Sequence, residues 1–145
     1  MIETDCPFLS ASELHITEQE REALIRAYVF MTTNKKFRHM IDADNSNSND
    51  IIFNMSNWNY KTDCGTVCCI GGTAEMLMNM QGKNFSFDLD GSSASLYNLF
   101  YPPFKYNYNK IMIPEATQAL YNFLTKGEAH WNEILNKTHL SSCLD

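Results

Sequence analysis

The pair Gly71-Gly72, set behind the apolar run Val67-Cys68-Cys69-Ile70, constrains this chain more than any other feature. Val67, Ile70, Ala74, Leu77 and Met78 recur at helical spacing, which predicts a helix over 63–80 with Asp63 or Cys64 near its N-cap. Two adjacent glycines in a helix each cost about 1 kcal/mol relative to alanine, so a tertiary contact must offset them. Without a Cβ they admit another backbone or a large ring at short range, and Trp58, Trp131 and Phe123 are the candidate neighbours. Cys64-Gly65-Thr66, Cys69 and Gly71-Gly72, with Trp58 and Trp131, are thus expected to form a dry structural centre. Cys68 and Cys69 act there as small apolar residues.

The rest of the chain divides around that centre. Thr17-Glu18-Gln19-Glu20 reads as a capping box, and Leu24, Ala27, Tyr28 and Met31 give the following helix an apolar stripe as far as Thr33-Asn34. Residues 42–50 hold Asp, Asn, Ser and one Ala, with nothing to bury, and read as a mobile surface loop. Ile51-Ile52-Phe53 reads as one short strand and Phe85-Ser86-Phe87-Asp88-Leu89 as a second. A helix with Leu96, Leu99 and Phe100 on its apolar face stops at Pro102-Pro103. Ile113-Pro114 starts another that closes at Gly127, and 128–136 forms a shorter one carrying Trp131, Ile134 and Leu135. The tail at 138–145 is expected to fray. The fold class is therefore mainly α, with α+β as the alternative: one domain over 1–145, four to five helices and one or two short strands.

Charge and composition narrow the function classes. A net charge of -6 with Lys35, Lys36 and Arg38 as the only basic cluster argues against direct nucleic-acid binding. The N-terminus has no apolar signal-like core, and no run is long enough to cross a membrane, so a cytoplasmic protein without a membrane partner is expected. In a reducing compartment the five cysteines are expected as free thiols. The sequons at Asn54, Asn84 and Asn136 then carry no meaning. No cofactor is implied.

Three readings compete for the cysteine segment. A thiol at a helix N-terminus feels the positive end of the macrodipole, which favours the thiolate, so Cys64 with His130 as base could form a cysteine hydrolase. Asp63-Cys64-Gly65 resembles the start of the catalytic helix in papain-like cell-wall peptidases, departing from it at the third position. Alternatively Cys64 and Cys68, four apart on a helix, could face one cation with Cys69 or His130 completing a metal site. The third reading is close packing alone.

Phe53 to Trp58, the run Cys64 to Ala74, Leu99-Phe100-Tyr101-Pro102 and the hairpin at Gly127-Glu128 together resemble a loose group of small uncharacterised bacterial and phage proteins. That group shows a Trp, a C-G-T-x-x-C-I-x-G-x-A segment, a Leu-Phe-aromatic-Pro stretch and a C-terminal helix in this order. The resemblance spans 51–135, matches Cys64 and Cys69 but not Cys68, and implies an architecture and a phage or mobile-element origin rather than an activity. The leading functional expectation is a non-enzymatic accessory or protein-interaction module. Its contact surface would be the aromatic run from Tyr97 to Tyr108, and its partner a protein, with a homo-oligomer as one form.

Overall fold

The computed structural model describes residues 7–34, 37–40, 51–58, 60–62, 65–87 and 94–136. The expected loop at 42–50 and tail at 138–145 lie outside them, as do Asp63 and Cys64. The fold is mainly α with a small sheet. In chain order the elements are α1 (Ala11–Leu14), α2 (Glu18–Thr33), β1 (Arg38–His39), β2 (Ile51–Phe53), β3 (Tyr60–Thr62), β4 (Gly65–Cys68), α3 (Ile70–Met80), α4 (Ala94–Phe100), α5 (Ile113–Lys126) and α6 (Trp131–Leu135).

Local chemistry sets several helix ends. Thr17 and Glu20 close a reciprocal capping box at the start of α2, with Thr17 N–H to Glu20 Oε1 at 2.9 Å and Glu20 N–H to Thr17 Oγ1 at 3.0 Å. Ser10 and Glu13 repeat that arrangement on α1, a helix not anticipated because four residues carry no periodicity. Gly127 ends α5 with φ 87°, the left-handed conformation that glycine adopts without steric cost.

The sheet corrects the sequence reading. Gly65–Cys68 forms strand β4, where helix was expected, and α3 begins only at Ile70 with Cys69 as its N-cap. A short apolar run does not distinguish a buried strand from a helical turn by periodicity, and pairing with β2 decides the matter here. The strand order is β1-β2-β4-β3, with β1, β2 and β4 parallel and β3 antiparallel to β4. Phe53 stands in register with Cys68, and Ile52 with Val67. Of the strand expected at Phe85-Ser86-Phe87-Asp88-Leu89, Phe85 to Phe87 have no ladder partner among the described residues, and Asp88 and Leu89 lie outside them. Instead the Asn79 side chain accepts from Phe85 N–H at 2.8 Å and donates to its carbonyl at 3.2 Å, so a side chain substitutes for a neighbouring strand.

Helices α2, α3 and α5 pack around one apolar core that includes Leu24, Phe53, Ile70, Met78, Leu99, Leu120 and Phe123. The close approach expected at the glycine pair is present, and its partner is Trp58. A Cβ on Gly71 would lie 2.6 and 2.8 Å from two carbons of the Trp58 six-membered ring, and one on Gly72 would overlap the Trp58 backbone carbonyl. Trp131 lies elsewhere, buried under α4 with its indole N–H donating to the Leu99 carbonyl at 3.0 Å.

Candidate functional site

Strand β4 and the N-cap of α3 deliver Cys68 and Cys69 into the core, where both side chains are buried. Burial pushes the Cys68 thiol up to about 12, with Cys69 and Glu75 adding to the effect. Burial likewise raises Cys69 to about 11, while the backbone amides of Gly72 and Gly71 act in the opposite sense. Cys69 is thus the thiol at the helix N-terminus, and desolvation outweighs the dipole there. Neither sulfur is poised as a nucleophile. The helix expected to align Cys64 with Cys68 is a strand at Gly65–Cys68, and Cys64 itself lies outside the described residues. Among the described residues, no three His, Cys, Asp or Glu side chains gather to hold a metal ion.

His130 occupies a different environment from the one expected. It is not inside a helix but is the N-cap of α6, with φ 59° and ψ 45°. A left-handed backbone is uncommon for a residue bearing a Cβ and marks a turn held in place by its surroundings. Here the hold is Asn122, buried on α5, whose Nδ2 donates to the Ala129 carbonyl at 2.9 Å. His130 Nδ1 lies 3.3 Å from Glu133 Oε2.

That turn forms one wall of a cleft of about 440 Å³, with Ser95 and Asn98 of α4 and then Tyr101 and Pro103 opposite it. The volume falls within the usual range for a binding pocket. Glu128 and Glu133 stand exposed on its α6 side.

The aromatic run Tyr97 to Tyr108 separates into two sets. Phe100 and Tyr106 belong to the core. The Tyr106 hydroxyl reaches Asn132 Oδ1 at 2.9 Å and Asn136 Oδ1 at 2.6 Å, tying the loop to α6. Tyr97, Tyr101, Phe104 and Tyr108 form the second set. Tyr97 is 49% exposed and Phe104 90% exposed. Tyr97 and Tyr101 face each other with ring centroids 4.6 Å apart, and Phe104 lies 6.4 Å from Tyr108. The Tyr108 hydroxyl donates to the Pro102 carbonyl, which closes the loop on itself. Burial raises the Tyr108 hydroxyl above its ordinary value, with Tyr97 and Tyr101 adding to the effect, so the three phenols share one neighbourhood. Sequence reasoning named the aromatic run but not the cleft, because Glu128 comes from the turn before α6 and Glu133 from α6 itself, and their position depends on how α5 and α6 pack.

A second apolar strip runs between α2 and α3, where Val29 and Met80 are exposed beside Ile25 and Leu77. Comparison with protein-family models, curated proteins and solved structures gives no match. Among the described residues, no helix is long and apolar enough to cross a membrane.

Proposed function

We propose that this chain is a non-enzymatic protein-interaction module, an accessory protein of phage or mobile-element type, whose contact surface is the patch Tyr97, Tyr101, Phe104 and Tyr108. One observation carries the reading: Phe104 is 90% exposed at the tip of a loop that is itself firmly anchored. An exposed phenylalanine on a floppy segment would mean little. This one is held by the Tyr106 hydroxyl bonds to α6, by the Tyr108 bond to Pro102 and by Ser56 Oγ donating to Asn109 Oδ1 at 2.6 Å. A rigid scaffold that keeps an aromatic ring in water forgoes its burial energy, of the order of 2 kcal/mol, and a partner that covers the ring recovers it. Aromatic side chains that lose little entropy on contact are what an interface enriches.

The hydrolase reading draws no comparable support from the described residues, since Cys68 and Cys69 are desolvated thiols and Cys64 lies outside them.

The test is site-specific photo-crosslinking in cells of the source organism. A benzophenone side chain at position 104 is expected to give a discrete protein adduct in higher yield than the same side chain at position 18 or position 80. Equal or stronger adducts from position 18 or position 80, on other faces, would overturn the reading.

A further inference from the structure

We infer that the partner is a second copy of this chain, joined as a two-fold pair in which Phe104 of each copy enters the cleft of the other. This rests on the interaction reading above and names its partner. A two-fold interface uses one patch twice, so a protruding group and its receptor must both lie on the same face of each copy. The chain places the two features next to each other: Pro103 lines the cleft, and Phe104, the next residue, is 90% exposed. Tyr101 belongs to both features, lining the cleft and stacking on Tyr97.

Charge is complementary in the same sense. The chain as a whole is acidic at -6, yet residues 102–110 hold Lys105 and Lys110 and no carboxylate. The cleft's opposite wall, 128–133, holds Glu128 and Glu133 and no Lys or Arg. Both lysines are exposed, and among the described residues neither makes a salt bridge within its own chain. The Lys105 ammonium instead lies 5.2 Å from the Tyr106 ring centroid. A two-fold operation carries each basic loop onto the other copy's acidic wall, so both junctions pair opposite charges around a central ring. Such charges at a rim set register and encounter rate more than affinity, while Phe104 supplies the burial.

The test is sedimentation equilibrium of the full chain from low micromolar to near millimolar concentration, joined to photo-crosslinking from position 104 in a mixture of isotopically light and heavy chains. The expected result is a concentration-dependent dimer, with mixed-isotope crosslinks from 104 into 128–133. Phe104→Ala should weaken the dimer at least roughly tenfold, the scale of an interface anchor. Lys105→Glu should weaken it as well, and the pair Lys105→Glu with Glu128→Lys should recover most of that loss. A monomer at every concentration overturns self-pairing. If that monomer still gives the position-104 adduct in cells, the interaction reading stands with a different partner; if it gives none, both fall.

Discussion

The Trp58 backbone carbonyl occupies the space that a Cβ on Gly72 would need, and the Trp58 ring covers Gly71. The two glycines therefore answer to different parts of one residue. A ring can be shortened or turned, whereas a carbonyl moves only with its chain. Gly72→Ala is expected to cost about 3 kcal/mol or more in urea unfolding, the upper end of overpacking effects. Gly71→Ala should also destabilise, but combining it with Trp58→Leu should recover part of the loss, which the same Trp58→Leu change does not do for Gly72→Ala. Equal rescue of both would place the contact elsewhere.

Glu75 fastens the same region from above. Its Oε1 accepts from the Trp58 indole N–H at 2.7 Å and its Oε2 from Phe87 N–H at 2.8 Å. Replacing it by alanine strands two donors and should lower stability by about 2 kcal/mol. Trp58 emission should shift to the red in that variant. Trp131, bonded to the Leu99 carbonyl, should keep its own environment.

The desolvated thiols give a pH signature. Folding holds Cys68 and Cys69 in the protonated form, pushed up to about 12 and about 11 from an ordinary value of 9.0. Above 9 the unfolded chain ionises these thiols while the folded chain does not, so the unfolded state binds fewer protons. Stability is full below pH 9 and is lost as pH rises toward the folded values, by about 1.4 kcal/mol per pH unit for each thiol. Cys68→Ala with Cys69→Ala should flatten this alkaline loss, whatever it does to stability near neutrality. Iodoacetamide should label neither position at neutral pH until the protein unfolds.

Much of this was legible in the residues, and the failures have physical causes. The α2 boundaries could be read because a capping box and an unbroken stripe act within one helix. The close approach at Gly71-Gly72 could be read as a cost that needs a contact. Strand β4 could not, since Gly65 to Cys68 is held by pairing with Ile51–Phe53, a relation between segments that periodicity does not record. The turn at His130 was hidden for a similar reason: nothing local favours a left-handed histidine, and the Asn122 side chain that holds it comes from α5.

That turn can be probed directly. His130→Gly relieves the left-handed backbone and should leave stability within about 1 kcal/mol of the parent despite losing the Glu133 contact. His130→Val places a branched Cβ in the same conformation and should cost about 2 kcal/mol in the same unfolding experiment. Similar losses for both would show that the imidazole, rather than the backbone, maintains the turn.

The claim on which the rest depends is that the Tyr97, Tyr101, Phe104 and Tyr108 face is covered when the protein works. Hydroxyl-radical footprinting in living cells, compared with dilute purified chain, tests it in one measurement. The expected result is strong protection of Phe104 and Tyr97 in cells, with Met80 on the α2–α3 strip oxidised equally in both samples. Phe104 and Tyr97 oxidised as fast in cells as in dilute solution would contradict the account.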